Sequence, residues 1–161
     1  MIKDHEKSLR KHLLELLEGG SAHAKFDDVI KNLPAQLRRA KPAQFPHSPW
    51  MLLEHMRLAQ RDILEFSRNA KHVSPTWPSG YWPKTEGPPN AVAWNKSVEQ
   101  FRRDLKAMQK LVANTKMDLF APIPWGDGQT LLREALLLAD HNAYHLGQML
   151  DVRRMLGAWK T

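Results

Sequence analysis

The chain has 161 residues, a net charge of +7, eight histidines and no cysteine. That length suits one compact domain, residues 1–161, with a core large enough to need no covalent staples. The missing cysteines exclude a disulfide framework, a thiolate metal site and a cysteine nucleophile, and they fit a reducing cytoplasm.

The N-terminus does not read as a signal peptide, and no stretch approaches the roughly 18 apolar residues of a membrane span, so a cytoplasmic location without a membrane partner is expected. The basic residues are scattered among Gln36–Lys41, Phe101–Lys106 and Asp151–Met155. Each group reads as a solvated helix face. No nucleic-acid-binding signature accompanies them, so nucleic acid is not an expected partner.

The first predicted element is MIKDHEKSLRKHLLELLEGG, where Leu9, Leu13, Leu16 and Leu17 form one stripe and Gly19-Gly20 marks the stop. Residues 20–47 hold a short helical piece around FDDVIKNL and a link rich in proline and basic residues. The second long helix begins after FPHSP, with Ser48 as N-cap and Pro49 at the first helical position. Its stripe is Leu52, Met56, Ala59, Ile63 and Phe66.

Residues 72–90, HVSPTWPSGYWPKTEGPPN, form a long loop with five prolines. A loop of that length is usually functional or a cap over the bundle end. The third long helix starts near Asn90 and carries Trp94, Val98, Phe101, Leu105, Met108 and Val112 at alternating spacings of four and three. The fourth follows PWGDGQT. Leu131, Leu138, His145, Met149, Val152 and Leu156 share its inner face, and Gly157 ends it. No segment reads as a strand. Single amphipathic helices of this kind are marginal alone. The pattern therefore predicts an all-α fold, a four-helix bundle with long inter-helix loops.

Within ADHNAYHLGQ, His141 and His145 stand four apart. On a helix they differ by about 40° in direction and can bind one metal ion. The spacing alone is weak, because eight histidines in this length produce about 0.4 such pairs by chance. Position strengthens it. Both residues lie on or beside the apolar stripe of the last helix, and buried imidazoles need partners. Neither has a carboxylate one turn away on that face. A metal supplies the partner and requires neutral rings.

The third candidate ligand is His55, which stands beside the stripe of the second helix as His141 stands beside its own. Three ligands with open positions suit a catalytic ion better than a structural one. The remaining histidines read more plainly. His5 and His12 are edge residues of the first helix, His47 belongs to a loop, and His23 and His72 are expected to be exposed. Trp77, Tyr81, Trp82 and Trp125 read first as hydrophobic plugs at the bundle ends, and alternatively as a pocket wall or dimer contact. Met51, Met56, Met149 and Met155 read as core filler. Glu54, Asp140 and Tyr144 neighbour the histidines in sequence but point away from them, so no general base is evident.

The run SPWMLLEHMRLAQRDILEF, followed much later by DHNAYHLGQML, resembles the DinB-like family of small bacterial helical proteins. The resemblance runs from about Lys7 to Gly157. Its specific parts are a histidine early in the second long helix and a His-x-x-x-His pair in the last one, where His55, His141 and His145 stand. Trp50 and the HLGQ run add to it. It implies a four-helix bundle with a divalent metal, zinc or nickel, on those three histidines, and a homodimer. It also implies kinship with transferases and isomerases that use low-molecular-weight thiols such as bacillithiol or mycothiol. The expected function is a metal-dependent transferase or hydrolase-like activity, with thiol transfer to a small electrophilic substrate as its specific form. The alternative is a non-catalytic, stress-associated bundle whose metal is structural or vestigial.

Overall fold

A computed structural model describes residues 2–159; Met1 and the last two residues of the predicted domain lie outside it. The elements are α1 (Ile2–Glu18), α2 (Phe26–Ile30), a 3-10 turn (Ala35–Arg39), α3 (Pro49–Arg68), a second 3-10 turn (Ser79–Tyr81), α4 (Ala91–Ala113) and α5 (Leu131–Met155). Among the described residues the regular secondary structure is all helical, with one isolated bridge between Pro122 and Thr130. No described helix is long and apolar enough to cross a membrane.

The long helices start where short polar side chains satisfy free N–H groups. The Ser48 hydroxyl accepts from Met51 N at 3.2 Å, with Pro49 opening α3. The Asn90 carbonyl oxygen accepts from Ala93 N at 2.8 Å, and the Thr130 hydroxyl from Arg133 N at 3.1 Å. α1 stops at Gly19, whose φ of 71° suits glycine. Gly157, at φ 67°, follows α5 in the same way.

α3 packs against both α4 and α5, and so does α1, so α1 and α3 take opposite corners of the bundle. Leu52 and Leu53 at the start of α3 share a cluster with Met149 and Val152 at the end of α5. Ile63 and Leu64 share a second cluster with Leu131, Ala135 and Leu138. α3 and α5 are therefore antiparallel. α4 follows α3 in the same sense, with Trp94, Val98 and Phe101 in the first cluster and Met108 and Val112 in the second. The 69–90 connection thus travels the length of the bundle.

Between the two apolar clusters lies a polar layer. It contains Gln60 on α3, Asp104 on α4, and Asn142 and His145 on α5, all buried. Gln60 is fully buried; its Nε2 donates to Phe101 O at 2.6 Å and its Oε1 accepts from Asn142 Nδ2 at 3.0 Å. Both ends of the Gln60 amide are thus paired, whereas Asn142 Oδ1 and Asp104 Oδ2 have no hydrogen-bond partner among the described residues.

The predicted stripes hold with local exceptions. Leu16 and Met155 are exposed, because α1 and α5 each turn that side to solvent. The basic groups are not uniformly solvated either. Arg38 lies over the Trp94 ring at 4.8 Å, and Arg153 is buried at 4% exposure. His72, expected to be exposed, is half-buried because Asp62 accepts its Nε2 at 2.7 Å.

Candidate metal centre

His55 sits in the second turn of α3, and His141 and His145 lie one turn apart in α5. Because α3 and α5 run antiparallel, the polar layer brings the three together. His55 and His145 are buried at 3% and 7% exposure, while His141 is half-buried at the edge. The ligand nitrogens of all three lie within 4.8 Å of one another. His55 Nε2 is 3.1 Å from His145 Nε2 and 3.1 Å from His141 Nε2.

The other ring nitrogens decide what those short distances mean. His55 Nδ1 donates to the backbone oxygen of Tyr81 at 2.8 Å. His145 Nδ1 donates to Gln148 Oε1 at 2.8 Å. Both partners are oxygens that can only accept, so both Nδ1 atoms carry the proton. In a neutral ring Nε2 then presents a lone pair. His55 and His145 therefore direct two lone pairs at each other with no hydrogen between them.

A cation resolves that repulsion. Zinc–nitrogen bonds of about 2.0–2.1 Å at tetrahedral angles place ligand nitrogens about 3.3 Å apart, close to the observed spacing. The donor set fits a divalent ion. Buried partners on the far nitrogen are also what metal-binding histidines require to hold ring and tautomer.

All three rings are held neutral. Burial is the largest cause in each case. For His141 the nearby His145 and His55 add to it, and its pKa falls to about 3. For His145 burial outweighs the opposing Gln148 hydrogen bond and brings the value to about 4. Burial also lowers His55, against the opposing Tyr81 hydrogen bond.

This has a sign for stability. Below the unfolded value near 6.5, the unfolded chain takes up protons that these folded rings refuse. Stability is thus intact above about pH 6.5 and falls as the pH drops toward 4. Metal-free protein scanned by calorimetry in chelator is expected to show a melting temperature that declines across that window. A constant value from pH 7 to pH 5 contradicts it.

Aromatic rings enclose the centre. Trp82 stacks on His55 with centroids 3.9 Å apart and planes 2° apart. His47 stacks on the other side at 4.2 Å and 18°. His47 is therefore more than a loop residue: it backs the ring that backs a candidate ligand. Tyr81 is buried, whereas Trp77 and Trp125 are exposed, so the loop aromatics divide between site wall and surface. Tyr144 is 64% exposed, with its ring edge-on to His145 at 4.8 Å. Glu54 is bound to Arg57 at 2.7 and 2.8 Å and Asp140 is exposed, so neither serves the histidines. His5, His12 and His23 are exposed, away from the centre.

Sequence reasoning missed Gln148 and the Tyr81 carbonyl, and offered Trp82 only as an alternative pocket wall. Gln148 stands three residues after His145, a spacing at which helical side chains meet, so that signal was present. The Tyr81 carbonyl and the Trp82 stack come from a distant loop and left no local signal. No curated protein and no solved structure matched the chain. A family model described as the DinB superfamily matches residues 9–149. That span runs from within α1 past all three histidines, and the chain belongs to the DinB superfamily.

Proposed function

We propose that His55, His141 and His145 bind one divalent ion, zinc or nickel, and that the protein is a metal-dependent transferase joining an external low-molecular-weight thiol to a small electrophile. The observation that carries this reading is the convergence of three neutral rings, with the His55 and His145 lone pairs turned toward each other and His141 Nε2 3.1 Å from His55 Nε2. An ion on three neutral imidazoles keeps its full charge and open positions, and so lowers the pKa of a thiol or water that binds there.

The protein's own part is orientation. Tyr81 O and Gln148 hold two rings in the ligating tautomer, and Trp82 keeps water from one face of His55. The half-buried His141 marks the side by which a thiol and its substrate reach the ion. The chain has no cysteine, so the thiol comes from outside, as it would in a reducing cytoplasm. The outward face of α5 exposes Leu136, Leu137, Tyr144 and Met155, which supports a homodimer through that helix.

A second reading has one observation in its favour. Among the described residues, the hydrogen bonds that the rings make outside the cluster go to a backbone carbonyl and an amide, with no carboxylate or hydroxyl placed to move a proton. On that reading the bundle is non-catalytic and stress-associated, with a structural or vestigial metal.

The test is purified protein loaded with zinc or nickel and assayed for thiol addition to small electrophiles, with chelated protein as control. Metal-dependent turnover supports the transferase. A metal that raises the melting temperature without any turnover supports the second reading. Sedimentation of the same sample at twice the chain mass is expected; a monomer removes the dimer.

A further inference from the structure

The loop that crosses the bundle touches His55 at two points, the Tyr81 carbonyl and the Trp82 ring. What aims that loop lies further down α3. Asp62 is seven residues past His55, so it occupies the same face about two turns and about 10 Å away. Its two carboxylate oxygens are both used. Oδ2 accepts the Tyr81 hydroxyl at 2.6 Å, and Oδ1 accepts His72 Nε2 at 2.7 Å. The three side chains are largely buried. Burial and the Asp62 contact raise the Tyr81 hydroxyl to about 12, which keeps it a donor.

Tyr81 is thus fixed at both ends. Its hydroxyl is tied to Asp62 and its carbonyl faces His55 Nδ1. The far side of the loop is tied separately, with Trp50 Nε1 donating to Thr85 Oγ1 at 3.3 Å and the Ser48 hydroxyl to Glu86 O at 2.5 Å. Between those ties, the Tyr81 side-chain tether to Asp62 and the Tyr81 N–H bond to Pro78 O at 3.1 Å together hold the residue whose carbonyl faces His55.

We propose that Asp62 is a positioning residue for the metal centre, acting through Tyr81 to set the tautomer and orientation of His55. The inference rests on the reading that the three histidines hold a divalent ion. Groups that orient a ligating histidine typically change metal affinity by about 10- to 100-fold.

The experiment measures zinc affinity by chelator competition at neutral pH for the wild type and for Tyr81→Phe, Asp62→Ala, Asp62→Asn and the Tyr81→Phe/Asp62→Ala double variant. Metal-free melting curves confirm that each is folded. Tyr81→Phe keeps the ring and the carbonyl and loses only the hydroxyl. It and Asp62→Ala are each expected to bind zinc about 10-fold more weakly. The double variant is expected to be no more than about threefold worse than either, because both changes break one link. Asp62→Asn keeps an acceptor for Tyr81 and is expected to restore most of the affinity. Cobalt-loaded Tyr81→Phe is expected to show a shifted visible spectrum, which a merely structural role would leave unchanged.

Wild-type affinity in folded Tyr81→Phe and Asp62→Ala overturns the proposal, even if their melting temperatures fall. Fully additive losses in the double variant overturn it as well. A wild type that binds no zinc removes the metal reading itself, a result distinct from both.

Discussion

Alanine at His55, His141 or His145, one at a time, is expected to weaken zinc or nickel binding by a hundredfold or more. Four-ligand structural zinc sites bind with about 10–16 kcal/mol, so each ligand accounts for roughly 2.5–4 kcal/mol. His55 should be the most sensitive. Its Nε2 is 3.1 Å from both partners, and its position comes from a different helix. Without it, the remaining pair is only a two-ligand face on α5.

The same variants should lose the metal-dependent rise in melting temperature, since an ion that binds only the folded state stabilises it by mass action. Metal-free stability is expected to fall much less, because at His55 or His145 the change also removes one of two lone pairs that oppose one another when no ion is bound. Equilibrium competition and melting curves with and without chelator read both effects. Undiminished affinity in all three single variants would sink the site.

The second large effect concerns the fold alone. Arg153 is buried, and no carboxylate pairs with its guanidinium among the described hydrogen bonds. It donates instead to backbone oxygens. Nη1 reaches Val29 O at 2.5 Å and Lys31 O at 2.9 Å, and Nε and Nη2 reach Ala158 O at 3.2 and 2.7 Å. Those carbonyls lie at or beyond the ends of α2 and α5, where helices leave acceptors unsatisfied. One side chain therefore ties the short helix to the end of the bundle, and Trp159 covers its guanidinium at 5.0 Å. Burial lowers the Arg153 pKa, so the charge itself is held against a penalty.

Arg153→Met removes that penalty but orphans the buried Val29 carbonyl, at about 1–3 kcal/mol, and strips the part-buried Lys31 and Ala158 carbonyls of their partner at a smaller cost. The net expectation is a loss of about 2–4 kcal/mol, or roughly 5–10 °C in melting temperature for a domain of this size. Zinc affinity should stay at the wild-type level, because Arg153 lies two turns beyond His145. A melting temperature within about 2 °C of wild type would refute the account of Arg153. Set beside the histidine variants, it separates stability from metal binding.

The contrast between these residues shows how much was legible in the chain. Arg153 sits in a basic run, and a basic run reads as a solvated face. Gln60 and Asn142 likewise look like surface residues in a helical pattern, yet Gln60 has no exposed surface at all. A buried polar residue is distinguishable from an exposed one only by its partner. The partners here are Phe101 O, Val29 O and each other, far away in sequence.

The apolar stripes behaved differently, since their information is local. Leu52, Met56, Trp94, Val98, Leu138 and Met149 recur at spacings of three and four because one helix face must leave water. Helix starts at Ser48 and Asn90 were readable for the same reason, each being a contact across three residues.

The candidate centre divides along the same line. Local spacing along the chain sufficed for the long helices, their inward faces, and the pairing of His141 with His145, because a helix relates residues four apart whatever surrounds it. The chain also carried enough of a family pattern to single out His55. That His55 meets that pair came from packing alone, since it depends on α3 and α5 lying antiparallel with their polar layers in register. Only the tertiary structure placed Tyr81 O, Trp82 and Asp62 around the site. They reach it through a loop whose path is set by packing along the bundle, and packing between distant segments leaves no periodicity in the chain.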